Sequence, residues 1–227
     1  MSELRALDDG LWVAEGPLRF LGIQMGCRMT VIRLADGTQL VHSPIQHAPD
    51  LQSAVEQNGP VSWLLAPNKF HHMFVGDWLS AVPNAKLALS PGLVDKRKDL
   101  EPSLVLGRES APWGEEIELC AIEGIPMIEE WVLFHRPTAT LVVTDLAFHL
   151  DHQCAASARF LGRMGGTYGQ LAPTRLERLM VRDKAALRQS LEQILEWPIE
   201  RVVMAHGSVV EQGGRDALAE GYHWLLR

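Results

Sequence analysis

The chain has 227 residues, of which 47% are hydrophobic and 22% are charged, and it carries a formal net charge of −7 at pH 7. Such a composition is typical of a globular protein with a substantial buried core. The acidic balance, with no stripe of Lys and Arg residues, argues against nucleic acid as a partner.

Composition also predicts the compartment. The three cysteines, Cys27, Cys120 and Cys154, are odd in number and far apart, so we expect free thiols in a reducing compartment rather than a disulfide framework or a thiolate zinc site. Residues 1–16 contain acidic side chains and no apolar segment of the kind found in signal peptides. No stretch approaches the ~18 apolar residues of a membrane-spanning helix. We therefore expect a cytoplasmic protein without a membrane partner.

The beginning of the chain is predicted to form antiparallel strands. Residues 11–14, 27–33 and 38–42 are rich in apolar and β-branched side chains, and an Asp-Gly pair at 36–37 is a typical hairpin turn between the last two. His42 lies near the end of this hairpin, and we expect it to have a structural role.

A parallel pair of strands is predicted next, at residues 61–66 and 85–89. A helix that starts at Pro49 and ends at an Asn-Gly-Pro sequence precedes the first strand, and a second helix at about residues 74–81 connects the two strands. This order of elements implies a parallel pair joined by a crossover. The charged segment 95–112 is expected to be an irregular connection.

The second half of the chain is predicted to hold further strands, followed by helices. The strands are expected at residues 116–122, 129–134, 138–144 and 201–205. The helices are expected within residues 146–161, at 173–182, at 183–196 and at the end of the chain. The helix at 183–196 has apolar residues at a spacing of 3.6, which predicts one buried face.

Three of the predicted strands end in side chains that can bind a metal ion. The strand at 61–66 leads to His71 and His72, the strand at 138–144 leads to Asp145, and the strand at 201–205 leads to His206. In α/β proteins the carboxyl ends of strands border a crevice. Imidazole and carboxylate groups there suit a divalent ion such as Zn²⁺, Fe²⁺ or Mn²⁺.

Each of these residues also has a structural interpretation. Asp145 could cap the following helix, and His206-Gly207 could be a turn that ends a strand. One histidine of the pair at 71–72 could pack while the other is solvated. The coincidence of ligand-type residues at three strand ends favours the metal site.

The order of elements and these motifs resemble the metallo-β-lactamase superfamily. His71 and His72 fall where the Asp-His pair of the family's HxHxDH loop lies, so that His71 replaces the aspartate. Residues 141–148 are similar to the family's strand that ends in Asp, and residues 201–207 are similar to its last strand, which ends in His-Gly. More narrowly, the P-N-x-x-H loop and the segment F-H-R-P-T-x-T-L-V-V-T-D resemble an uncharacterised branch of that fold, known as a domain of unknown function.

The resemblance implies a fold and a domain organisation. We expect one domain over residues 1–227, an α/β protein with an αββα sandwich of two mixed β-sheets flanked by helices.

The chain departs from the family pattern at several metal ligands. The first two histidines of HxHxDH are replaced by Asn68 and Phe70, or by Pro67 and Lys69 in the other register. The later histidine of the family is absent from residues 124–128. The resemblance therefore implies that most ligands of one of the two usual metal positions are lost.

What remains is enough for one metal ion. The ligands that the resemblance leaves in place are histidines and one aspartate at strand ends: His71, His72, Asp145 and His206. Glu129 or Glu130 could substitute for the missing histidine, and His149 is a further possible ligand. We expect one divalent ion, zinc before iron or manganese.

The resemblance implies a metal-dependent hydrolase of a small-molecule substrate. His135 is a candidate catalytic residue for proton transfer, because a neutral imidazole can act as a base near pH 7. It lies between two predicted strands, so a structural role is an equal alternative. The alternative function is a non-catalytic relative that binds a small molecule or acts as a scaffold, and a homodimer is a further expectation.

Overall fold

The computed structural model describes residues 2–20 and 23–227, without the side chains of Phe20 and Ile23. The chain divides into two compact units. One comprises Met1–Gly16 and Arg28–Ile117, and the other comprises Pro17–Cys27 and Glu118–Arg227.

The strands of the described chain follow the predicted order closely. They are β1 (Leu4–Asp8), β2 (Leu11–Gly16), β3 (Arg19–Phe20), β4 (Ile23–Gln24), β5 (Cys27–Arg33), β6 (Gln39–His42), β7 (Val61–Ala66), β8 (Lys86–Leu89), β9 (Leu104–Val105), β10 (Ile117–Ala121), β11 (Trp131–His135), β12 (Thr140–Val142) and β13 (Arg201–Val203).

The helices alternate with strands in the first unit and dominate the later part of the second. They are α1 (Pro49–Glu56), α2 (Val75–Ala81), α3 (Pro91–Lys96), α4 (Ala156–Gly165), α5 (Arg175–Met180), α6 (Lys184–Ile194), α7 (Gly214–Gly221) and α8 (His223–Leu226). No helix in the parts of the chain that the structure describes is both long and apolar enough to span a bilayer.

The first unit is built on a seven-stranded mixed sheet with the strand order β1-β2-β5-β6-β7-β8-β9. Strands β5 and β6 pair antiparallel, whereas β6, β7, β8 and β9 pair parallel in turn. Helices α1 and α2 make the crossovers, since a parallel pair cannot be joined by a short turn. The predicted hairpin, parallel pair and crossover are confirmed. The carboxyl ends of β6 and β7 consequently lie at one edge of this sheet.

The second unit is built on a four-stranded mixed sheet with the order β10-β11-β12-β13. Strand β12 pairs antiparallel with β11 and parallel with β13. Strands β3 and β4 form a separate two-stranded hairpin.

The core of the second unit lies between its sheet and α6. The predicted apolar face of α6 is confirmed, because Leu187, Leu191 and Ile194 are fully buried there. Phe134 of β11 stacks on Trp197 with ring centroids 5.3 Å apart. Burial of such side chains stabilises each by about 1.5–3 kcal/mol relative to exposure.

Two predictions of secondary structure were wrong in detail. The segment 95–112 was expected to be irregular, yet it contains the end of α3 and the edge strand β9, because Leu104 and Leu106 are buried and pair the chain with β8. The single terminal helix is divided into α7 and α8 at Tyr222, whose backbone leaves the helical region. Gly221, just before the break, lies so close to Leu171 that a Cβ there would overlap with the Leu171 carbonyl group.

The cysteines are as predicted. Cys27 and Cys120 are buried, Cys154 is partly exposed, and all three are free thiols.

Candidate metal centre

Strand register brings Asp145 and His206 together in the second unit. Val142 of β12 pairs with Val203 of the parallel strand β13. Asp145 and His206 each follow three residues after that pair, so the two side chains leave the sheet at equivalent positions. Their closest atoms, His206 Nε2 and Asp145 Oδ1, lie 3.8 Å apart.

The hydrogen bonds of His206 fix its tautomer. Nδ1 lies 2.7 Å from the carbonyl oxygen of Gly26, which can only accept, so Nδ1 carries the proton. Nε2 therefore presents a lone pair on the side facing Asp145 when the ring is neutral. The ring is buried and stacks on Phe148 with centroids 5.4 Å apart. This is the orientation that a metal-binding histidine requires.

Glu130 binds the backbone at Asp145. The backbone N–H groups of Thr144 and Asp145 donate to the two carboxylate oxygens of Glu130, at 2.6 and 2.8 Å. A third carboxyl group lies nearby: the pKa of Glu177 is raised by burial and, to a smaller extent, by the charge of Asp145. This concentration of carboxylates favours a cation at this edge of the sheet.

The loop after β7 positions His71 in the first unit. Asn68 is fully buried, and its side-chain oxygen accepts hydrogen bonds from the backbone N–H groups of Phe70 and His71, both at 2.8 Å. His71 Nδ1 lies 2.7 Å from the hydroxyl of Ser43, directly after β6. Ser43 has a φ of 51°, a strained value for a residue other than glycine. Parallel pairing of β6 and β7 explains why the two residues meet.

His72 has different surroundings. The guanidinium group of Arg97 donates to His72 Nδ1 at 2.9 Å and to the His72 carbonyl oxygen at 3.1 Å. Burial lowers the pKa of His72 to about 4, with smaller contributions from Lys96 and Arg97, so the ring is neutral at pH 7. Because Arg97 is always a donor, the proton of His72 lies on Nε2.

Two of the predicted ligands lie close enough within the second unit to share a metal ion. Asp145 and His206 each offer one ligand atom, and these atoms are 3.8 Å apart. The predicted ligands His71 and His72 belong to the first unit.

Two other candidate histidines, His149 and His135, make contacts of their own within the second unit. His149 Nδ1 donates to the Ser208 carbonyl oxygen at 3.0 Å. His135 is buried at the end of β11, where it pairs with Thr140, and its Nδ1 lies 2.8 Å from the Thr138 hydroxyl. Because β11 and β12 are antiparallel and His135 pairs with Thr140 at the start of β12, His135 lies at the opposite end of β12 from Asp145.

Sequence reasoning missed the residues that position the ligands. Gly26, Ser43 and Asn68 gave no signal that they contact an imidazole or build its loop. The sequence suggests Glu130 only as a substitute ligand, whereas its two oxygens accept hydrogen bonds from backbone N–H groups. Only its position, just before an apolar strand, could have indicated that it is buried.

Several solved structures with similar folds are metallo-β-lactamases. The enzyme from Pontibacter korlensis superposes with a TM-score of 0.68 at 11% identity, covering 99% of each chain. The enzyme from Hirschia baltica gives 0.68 at 11% identity, covering 100% of this chain and 98% of that one. FIM-1 from Pseudomonas aeruginosa, solved in its mono-zinc form, gives 0.66 at 10% identity, covering 98% and 95%. The predicted fold class, an αββα sandwich of metallo-β-lactamase type, is confirmed.

Sequence comparison gives a narrower result. No similar protein is found among curated sequences. Residues 8–164 match the family model described as "Domain of unknown function (DUF4336)". This match covers more than half of the chain. The chain is thus a divergent protein of metallo-β-lactamase fold, and it belongs to the DUF4336 family.

Proposed function

We propose that this protein is a metal-dependent hydrolase of a small-molecule substrate, with a single divalent ion, zinc, held by His71, Asp145 and His206. The observation that carries the proposal is the convergence of two ligand atoms in the second unit, His206 Nε2 and Asp145 Oδ1, which lie 3.8 Å apart. His71 is the third ligand, as the resemblance to the family's histidine loop implies. The metallo-β-lactamase fold of the chain supports it, since solved structures of that fold include a mono-zinc form.

The donor set fits a catalytic ion better than a structural one. Structural zinc sites are closed by four protein ligands, whereas catalytic sites have three and leave a position open. A neutral imidazole with its lone pair exposed and an ionised carboxylate are the forms that bind a metal. His206 has the first form because Gly26 accepts its Nδ1 proton.

The roles of the chain's own residues follow from their contacts. His206 is oriented by the Gly26 carbonyl group and by the stacked ring of Phe148. Asp145 is oriented through its own backbone N–H, which donates a hydrogen bond to Glu130. A divalent ion in such a site would act as a Lewis acid and lower the pKa of water to near 7, so that hydrolysis could proceed at neutral pH.

His72 and His135 are left out of the proposed machinery. His72 would have to lose its Nε2 proton to bind a metal, because Arg97 already donates to its Nδ1. His135 lies at the end of β11, where it pairs with Thr140 and its Nδ1 contacts the Thr138 hydroxyl. That His135 transfers a proton stays a prediction from the sequence.

The second candidate function is a non-catalytic protein that binds a small molecule. One observation favours it. Asn68, which in one register stands where the family has a metal-binding histidine, is fully buried and builds its loop. Its position is thus used for structure rather than for a second metal ion.

The test combines metal content with hydrolysis. Purified protein should contain one equivalent of zinc and should hydrolyse an activated ester or phosphoester such as 4-nitrophenyl acetate or bis(4-nitrophenyl) phosphate. Asp145→Asn and His206→Gln should lose the metal and reduce the rate at least about 100-fold. The exposed His152 of the same unit provides the control, since His152→Gln should change neither.

Each outcome decides between the candidates. One zinc equivalent without hydrolysis of either probe would favour the binding protein. Two equivalents, or none after supplementation with zinc, would overturn the proposed site.

Further parts of the proposal rest on the sequence and fold. We propose a cytoplasmic location, which the three free thiols support. A single domain and a homodimer stay predictions.

A further inference from the structure

Two buried side chains hold the backbone that carries Asp145. Just before it, the N–H of Val143 donates to the carbonyl oxygen of Val203 at 2.9 Å. Beyond this point the N–H groups of Thr144 and Asp145 donate to Glu130. The next carbonyl group, that of Leu146, accepts the hydroxyl proton of Tyr222 at 2.7 Å.

Both of these side chains are suited to fix a backbone. Glu130 is 2% exposed and Tyr222 is 1% exposed, so bulk water does not compete for their hydrogen bonds. The two oxygens of one carboxylate are bound to two successive N–H groups, which makes the hydrogen bonds charge-assisted and leaves the peptide little freedom to rotate. Tyr222 stays protonated and donates, because burial, with smaller contributions from Glu130 and Glu177, raises its pKa.

We infer that Glu130 is a positioning residue that sets the Asp145 carboxylate opposite His206, with Tyr222 supporting the same turn, and that this clamp determines the affinity and coordination geometry of the site for zinc. The inference rests on the proposed function, because it requires Asp145 to be a ligand. It replaces the alternative that Glu130 is itself a ligand in place of the missing histidine.

The geometry explains why the effect is specific to the metal. Asp145 has only two side-chain torsions, so a shift of its peptide moves its carboxylate by a similar amount. The atoms concerned, His206 Nε2 and Asp145 Oδ1, lie 3.8 Å apart, so a shift of either changes their fit to a shared ion. Loss of a group that orients a metal ligand typically lowers metal affinity 10–100-fold.

The experiment measures zinc affinity by competition with a chromophoric chelator, and the absorption spectrum of the Co²⁺-substituted protein. Glu130→Gln keeps the shape of the side chain but replaces one acceptor oxygen by an NH₂ donor, which faces a backbone N–H. We expect its affinity for zinc to fall about 10–100-fold and its Co²⁺ bands to shift. Tyr222→Phe removes one hydrogen bond only, and we expect a smaller fall in the same direction.

The matched control is Glu118→Gln in the same unit. Glu118 is a half-buried carboxylate that accepts hydrogen bonds from Trp197 and pairs with Arg136, on the strand β10 and away from Asp145. This variant should lose stability without a change in zinc affinity or in the Co²⁺ spectrum. If Glu130→Gln does not fold, Tyr222→Phe tests the inference in its place. It removes one hydrogen bond and no charge, so it should still fold.

The outcomes separate this inference from the proposed function. If the wild-type protein binds zinc and both clamp variants bind it equally well with unchanged Co²⁺ spectra, the clamp is merely structural and the inference fails while the proposed function stands. If the wild-type protein binds no zinc, the proposed function fails and the inference fails with it.

Discussion

His42 is a fully buried imidazole on β6 whose protonation is coupled to folding. Its side chain is 1% exposed, and its Nε2 has no hydrogen-bond partner among the described residues. Burial lowers its pKa to about 3, with a smaller contribution from the charge of His71. Since a histidine in an unfolded chain has a pKa near 6.5, the folded protein binds fewer protons than the unfolded chain between these values.

The first prediction concerns this pH range. The contribution of His42 to stability is fully present above pH 6.5 and is lost as the pH falls towards 3. Within that window it should lower the free energy of unfolding by about 1.4 kcal/mol per pH unit. In His42→Leu, which is apolar, the slope should fall by about this amount, and the part that comes from the lowered pKa of His72 should remain. The measurement is urea unfolding between pH 4.5 and 7 with a chelator present. An unchanged slope in the variant would show that other groups govern the acid sensitivity.

At the next scale, the end of β13 is constrained by a close approach of two chain segments. Gly207 has a φ of 101°, and it forms a parallel bridge with His149. A Cβ on Gly207 would overlap with the carbonyl group of His149. Glycine directly after His206 is therefore required by the backbone, because it lets the loop after β13 lie against the loop after β12.

The second prediction compares two glycines with positive φ. Gly207→Ala should lower the free energy of unfolding by at least about 3 kcal/mol, because it combines strain with an overlap that forces the backbone to move. Gly169 has a φ of 71° and open space around its Cα. Gly169→Ala should therefore cost only the ~1–2 kcal/mol of the left-handed conformation. Urea unfolding of both variants gives the values, and equal losses would contradict the proposed overlap.

The elements differ in how much their sequence determines them. Strand β7 and helix α6 were predictable from local sequence patterns. A buried parallel strand is a continuous apolar run, and an amphipathic helix has apolar residues at a spacing of 3.6. Strand β9 was not predictable from its two residues, since its pairing with β8 is what makes it a strand. The close approach of Gly221 to Leu171, next to the break at Tyr222, likewise involves a segment distant in the sequence.

The same division applies to the site. Asp145 and His206 were predictable because each directly follows an apolar strand, and parallel pairing with equal offsets makes them neighbours. The groups that orient them were not, because the partners of Asp145 and His206 are Glu130 and a backbone carbonyl of Gly26. A backbone carbonyl has no signature in the sequence at all.

At the scale of the whole molecule, the proposed site links folding stability to metal. An ion that binds the folded protein only stabilises it by mass action, by about 2.7 kcal/mol when its free concentration is 100 times Kd. For a chain of 227 residues this corresponds to a rise in Tm of about 5–10 °C.

The third prediction is therefore a chelator-dependent Tm. Zinc should raise the Tm of chelator-treated protein by this amount, and EDTA should reverse the change. Differential scanning calorimetry of Asp145→Asn provides the control, since this variant should show no shift at the same zinc concentration. An equal shift in the variant would mean that zinc binds elsewhere on the molecule.

The hydrogen bond between His206 and Gly26 joins residues 180 positions apart. At a translation rate of 5–20 residues per second, the ribosome needs roughly 10–40 s to make the chain between them. During that interval His206 has not yet been made, so the Gly26 carbonyl oxygen cannot accept its hydrogen bond. Binding of the proposed zinc ion should thus be one of the last events in the biogenesis of this protein, and a fragment that stops short of residue 206 should not bind it at this site.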